Sequence, residues 1–87
     1  MAKKQATWHS SYLNAYYVQD RMRAARHKDC PPETLAKFAK DDFQWVRVDV
    51  AENRNCPPRI LKKLASDKSV HVRSSVAANA NCPRENL

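Results

Sequence analysis

The sequence predicts an all-α chain of stacked helical repeats, with two full units of 26 residues flanked by partial ones. Three observations carry this. Cys30, Cys56 and Cys82 stand 26 residues apart, and each is followed by proline. Residues 30–55 and 56–81 are identical at thirteen of 26 positions, among them Leu35/Leu61, Asp41/Asp67, Val46/Val72, Arg47/Arg73 and Asn53/Asn79. Within each unit the apolar residues recur three and four apart, the spacing of one helix face. With 87 residues, 43% hydrophobic and 29% charged, the chain has the composition of one small folded domain rather than of a disordered segment.

Residues 1–20 lie outside the repeat. Trp8, Tyr12, Ala15 and Tyr16 fall at helical intervals and predict a longer N-terminal helix, roughly residues 7–27, whose aromatics cap the first unit. Residues 21–29 form a half-repeat, because Arg21, Ala25 and Asp29 hold the register of Arg47, Ala51 and Asn55. His27 stands where Asn53 and Asn79 stand later.

The unit 30–55 divides into two helices of about two turns. The first opens at Cys30-Pro31, since proline at the first helical position sacrifices no intrahelical hydrogen bond. Cys30 and Glu33 have the spacing of a capping box. Leu35, Phe38 and Ala39 share a face, and the helix is expected to run to Asp41-Asp42. The second helix carries Val46, Val50 and Ala51 and ends near Asn53–Asn55. The chain has no glycine, so asparagine is expected to supply any left-handed cap. Unit 56–81 repeats the plan with Leu61, Leu64 and Ala65, then Val72, Val76 and Ala77. Residues 82–87 open a partial C-terminal repeat. Helices this short are unstable alone and must be held by stacking.

The stretch "VRVDVAENRNCPPRILKKLASD" (Val46 to Asp67) resembles the variant leucine-rich repeat family, and the resemblance covers residues 21–87. It implies a right-handed α-solenoid of alternating short helices without strands. The recurring Asp41…Arg47 and Asp67…Arg73 element is also similar to HEAT repeats. Some members of the family carry a cysteine-rich iron–sulfur segment ahead of the repeats, whereas residues 1–29 here contain no cysteine. The family has no single activity, so the resemblance implies no function.

The three cysteines occupy one repeated slot, on units a helix diameter apart, too far to share a metal ion or a disulfide. They read as small half-buried residues at helix starts, with no cofactor and no metal expected. No nucleophile–base pair is visible, and no enzyme is predicted. Arg47, Arg73 and Arg21 are expected to form a ladder of Arg–Asp or Arg–carbonyl bonds between units. Asn53 and Asn79 are expected to satisfy turn backbone. No signal peptide or membrane-spanning segment is expected, and the protein reads as cytoplasmic.

The net charge is +7, but it is uneven. Residues 1–29 are net +4, unit 30–55 is net −1 and unit 56–81 is net +4. Arg23, Arg26 and Lys28 form one candidate basic patch, and Arg59, Lys62, Lys63 and Lys68 another. Phe43 and Trp45, which the next unit replaces with Ser69 and His71, are either gap-fillers under the N-terminal cap or exposed anchors for a partner. These nine residues are the expected partner contacts of a protein-interaction module. The alternative is a nucleic-acid-binding protein that contacts phosphates through the basic patches. Apolar surface near Val72, Val76 and Leu87 is expected to allow a homodimer through the open C-terminal end.

Overall fold

A computed structural model of the protein describes residues 17–83, and among these every regular element is an α-helix. In chain order they are α1 (Val18–Arg26), α2 (Pro32–Phe38), α3 (Gln44–Glu52), α4 (Pro58–Leu64) and α5 (Val70–Ala78). The starts of α1, α3 and α5 are 26 residues apart, as are those of α2 and α4. Nine-residue and seven-residue helices therefore alternate with the period of the sequence.

The seven-residue helices owe their start to the paired prolines. Pro31 and Pro57 hold extended backbone at the N-cap, and Pro32 and Pro58 open the helix. Neither N-cap has a side-chain hydrogen bond, so the expected Cys30–Glu33 capping box does not form. Cysteine precedes the N-cap instead, and the Cys56 thiol donates to the carbonyl of Pro57 at 3.8 Å. Both helices stop at Phe38 and Leu64, short of the expected acidic pair. The stop has a local cause: the Asp41 and Asp67 carboxylates accept the N–H of Phe43 and Ser69, each at 2.9 Å, and turn the chain.

The nine-residue helices end differently from the expectation. Their C-caps, His27, Asn53 and Asn79, are all extended, and no described residue has positive φ. Asparagine acts here through its side chain rather than through a left-handed backbone. Asn53 Oδ1 accepts the N–H of Asn55 and Asn79 Oδ1 that of Asn81, both at 2.8 Å.

Helices α1, α3 and α5 pack side by side in one row, with α3 in the middle. Helix α2 packs against α1 and α3, and α4 against α3 and α5, forming a second row. The core lies between the rows: Ala25, Leu35, Phe38, Val46, Val50, Ala51, Cys56, Leu61, Leu64, Val72 and Val76 are buried. Most repeated positions share their burial, exposed pairs such as Lys37/Lys63 included. The exceptions are at the last unit. Ala77 is exposed where Ala25 and Ala51 are buried, because no described element packs beyond α5.

Toward the N-terminus, Tyr17 is extended and α1 begins at Val18. The expected helix over 7–27 is therefore not continuous through Tyr17, although it ends where expected. Trp8, Tyr12, Ala15 and Tyr16 lie outside the described residues, as does Leu87.

Candidate functional site

A side-chain network first removes several residues from contention as ligand contacts. Arg21 Nε donates to Asp41 Oδ2 at 2.8 Å, and Arg47 Nε donates to Asp67 Oδ2 at 2.8 Å, each arginine gripping the unit that follows it. Arg47 Nη1 also donates to the backbone carbonyl of Asp41 at 2.6 Å, and Arg73 Nη1 to that of Asp67 at 2.7 Å. The ladder thus uses both carboxylates and carbonyls. Burial disfavours the Asp67 charge, but hydrogen bonds from Arg47 and the Ser69 N–H, with the Arg47 charge, hold its carboxyl below the ordinary value.

Asparagine provides a second connection. Asn53 Nδ2 donates to the carbonyls of Ala25 (2.8 Å) and His27 (3.0 Å), and Asn79 Nδ2 does the same to Ala51 (2.8 Å) and Asn53 (3.0 Å). Asn55 and Asn81 reach back to the carbonyls of Lys28 and Arg54 at 2.7 and 2.6 Å. Arg21, Arg47 and the four asparagines are committed to joining units, whereas Arg73 is held within its own unit by the Asp67 carbonyl.

What remains accessible is the set of positions that do not repeat. Phe43 and Trp45 are 40% and 37% exposed, so neither is a buried plug. Phe43 is the N-cap of α3 and lines a shallow groove with Asp42, Lys68 and Ser69. Trp45, two residues on, lies against His71, with ring centroids 4.9 Å apart and planes tilted by 38°. Trp45 and His71 hold the same slot in successive units, so an exposed aromatic surface crosses from α3 to α5. The Ser69 hydroxyl donates to Gln44 Oε1 and accepts the N–H of His71, which fixes the start of α5 beside α3.

The predicted cations do not converge on one face. Arg23 pairs with Asp20 at 2.9 Å, Arg26 approaches Asp49 at 3.9 Å and Lys28 pairs with Asp29 at 3.5 Å. Exposed pairs such as Arg23–Asp20 and Lys28–Asp29 add little stability, but they offset the local positive charge that a phosphate meets. Arg59, Lys62 and Lys63 are exposed on α4, in the other row, and no carboxylate lies within ion-pair distance of them among the described residues. Arg59 and Lys63 join Lys40 around a groove between α2 and α4, whereas Lys62 does not line it. Lys68 does not line it either, but shares adjoining grooves with Lys40 and with Phe43.

Sequence reasoning missed two features. One is the α2–α4 groove. The other is Asp49, which is 4% exposed between α1 and α5 on α3, with Oδ2 lacking a hydrogen-bond partner. Its only signal in the sequence is an acid where the next unit has Ser75. Burial pushes the Asp49 carboxyl up to about 6; the Arg26 charge opposes this and Glu52 adds to it. The native state holds this proton more tightly than the unfolded chain does. Its stabilising contribution is complete below the ordinary value of 3.8 and is lost as pH rises through about 6. Asp49→Asn is therefore expected to flatten the fall in stability between about pH 4 and 7 and to add about 1–2 kcal/mol at pH 8. Urea denaturation across pH measures this, and an unchanged slope refutes it.

Burial raises the Cys30 thiol to about 12, with a further rise from Cys56. Burial likewise raises Cys56 to about 11, against the lowering effect of the Arg59 charge. Burial thus disfavours the thiolate form at both positions. With a thiol reagent at pH 7.5, half-buried Cys82 is expected to react first, and Cys30 and Cys56 only on unfolding. Mass spectrometry of the labelled native protein checks this; early labelling of Cys56 contradicts it.

At the C-terminal end, Val72 and Val76 themselves are buried, and Leu87 lies outside the described residues. The exposed residues of α5 include Val70, Arg73 and Ala77 instead. Among the described residues no helix is long and apolar enough to cross a membrane, and no group of three or more His, Cys, Asp or Glu is placed to hold a metal ion. Comparison with known proteins finds no family model that matches the chain, and no match among curated proteins or solved structures.

Proposed function

We propose that the chain is a short right-handed α-solenoid of the variant leucine-rich, HEAT-like kind, and that it is a non-enzymatic protein-interaction module. Supporting the repeat reading are the 26-residue spacing of the helices and the Arg–Asp and Asn–carbonyl bonds between successive units. One observation carries the functional reading. Two large aromatics, Phe43 and Trp45, are exposed on the most enclosed helix, α3, at positions the stacking does not demand. Rigid aromatics on a fixed backbone are the side chains that dominate protein interfaces. A photo-crosslinking amino acid at position 43 or 45, introduced into the full chain in its native host, tests this. Discrete protein adducts from positions 43 and 45, absent from a control at exposed Arg54, are expected. Adducts that do not differ from that control overturn the reading.

The alternative is nucleic-acid binding, favoured by Arg59, Lys62, Lys63 and Lys68, which have no acidic partner within ion-pair distance among the described residues. It requires affinity for DNA or RNA that falls steeply with salt. Negligible binding at low salt eliminates it.

A further inference from the structure

Helices α2 and α4 each pack on the α1–α3–α5 row rather than closely on each other. The space left between them is a groove of about 240 Å³. Its floor is apolar, made by Ala36 and Ala39 of the first full unit and Ile60 and Leu64 of the second. Its rim is cationic: Lys40, Arg59 and Lys63 are exposed around it. The acid among its lining residues is Asp67, and both its carboxylate oxygens already accept from Arg47 at 2.8 and 3.2 Å. The rim therefore carries three positive charges, and the one carboxylate that lines the groove is already engaged.

Each of these facts narrows the occupant. The volume falls below the roughly 300–1,000 Å³ of small-molecule sites, and suits a side chain rather than an organic cofactor. An apolar floor rewards insertion of a hydrocarbon or aromatic group, which a phosphate backbone does not provide. Three cations around that floor favour carboxylates beside the inserted group, and the planar Arg59 guanidinium suits a carboxylate held in two-point contact. The groove is also peculiar to this pair of units. In the second full unit, Lys62 and Ser66 hold the slots of Ala36 and Lys40, so the far side of α4 does not repeat it.

We propose that the groove between α2 and α4 docks an acidic peptide segment. One apolar side chain enters between Ala36, Ala39, Ile60 and Leu64, and flanking carboxylates meet Lys40, Arg59 and Lys63. This deepens the interaction-module reading and rests on it, but it uses a different face from Phe43 and Trp45.

The test is selection of a displayed library of random dodecapeptides on the full 87-residue chain. Enrichment of sequences with one Leu, Ile, Met or Phe flanked by Asp or Glu is expected. Replacing that apolar residue by alanine in a selected peptide should weaken binding about tenfold or more. Binding should also fall about tenfold or more on Arg59→Glu/Lys63→Glu, both exposed positions, and on Ala39→Trp, which fills the floor. Circular dichroism checks that each variant is folded, and the charge reversal alone decides if Ala39→Trp is not. Phe43→Ala/Trp45→Ala should leave the selected peptides bound. No enriched acidic–apolar motif, or binding insensitive to the charge reversal, overturns the groove. So does displacement of every selected peptide by a single-stranded oligonucleotide that binds more tightly through Arg59 and Lys63. Peptides lost only on Phe43→Ala/Trp45→Ala overturn the groove and leave the interaction-module reading standing. That reading fails separately, through the crosslinks at positions 43 and 45.

Discussion

Arg47→Ala is expected to cost about 3–5 kcal/mol, a large part of the total stability of a small domain. Arg47 is only 6% exposed, and it holds two units at once. Its Nε and Nη2 donate to the Asp67 carboxylate at 2.8 and 3.2 Å, while Nη1 donates to the Asp41 carbonyl. Alanine leaves Asp67, whose side chain is 10% exposed, as an enclosed charge with the Ser69 N–H as its hydrogen-bond donor and the Lys68 charge nearby. The cost arises from that stranded charge more than from the lost bond. Arg47→Met/Asp67→Leu, which removes both charges, is therefore expected to cost less than Arg47→Ala alone. The penalty has a pH signature. Asp67 is held below its ordinary value in the native state, so its contribution is present above the unfolded pKa and is lost as pH falls through the lower folded one. The gap between the native protein and Arg47→Ala should therefore narrow toward acid. Urea denaturation followed by circular dichroism measures both effects; a loss below about 1 kcal/mol at pH 7 contradicts the account.

Asn53→Ala is expected to cost about 2–4 kcal/mol. One amide satisfies three backbone groups: its Nδ2 serves the carbonyls of Ala25 and His27, and its Oδ1 accepts the N–H of Asn55. Asn53 is 3% exposed, and Ala25 is fully buried, so water cannot replace the bond to the Ala25 carbonyl without opening the structure. Asn53→Asp separates the two roles. It keeps the turn acceptor but sets a carboxylate oxygen against two carbonyl oxygens, and should be at least as damaging at neutral pH. Asn79→Ala is an internal comparison, since Asn79 makes the same bonds to Ala51 and Asn53. Asn53→Ala and Asn53→Asp both within about 1 kcal/mol of the native protein would sink this reading.

Much of the fold is legible in the sequence because a repeat supplies its own control. Asn53 and Asn79 recur at one offset because each makes the same bonds to the preceding unit, and Arg47 and Arg73 because each holds the carbonyl of the aspartate six residues before it. The N-terminal register of Arg21 and Ala25 locates α1 by the same logic. The boundaries were less legible. The seven-residue helices look longer in sequence, because the apolar face cannot show that Asp41 and Asp67 turn the chain with their side chains. The asparagine caps were read correctly for position and wrongly for conformation, since side-chain and left-handed capping favour the same residue.

The candidate surfaces lie where this internal control is missing. Phe43 and Trp45 stood out because the second unit does not copy them, and that difference alone could not distinguish a plug from an anchor. Asp49 looks like any charge on a short helix, and its burial follows from α3 having neighbours on both sides. The α2–α4 groove depends on Ala36 and Ala39 being small opposite Ile60 and Leu64 of another unit, a juxtaposition that no single stretch of sequence contains.

The bonds between units have a further consequence for how the chain reaches this structure. The side-chain hydrogen bonds that join one unit to the next span 20 to 28 residues among those described, and the ladders of Arg47 and Asn79 lie within that range. The entropy lost in closing a loop grows with the logarithm of its length, so each closure carries a similar, moderate cost. Assembly of this region can begin at any one pair of units and spread to its neighbours.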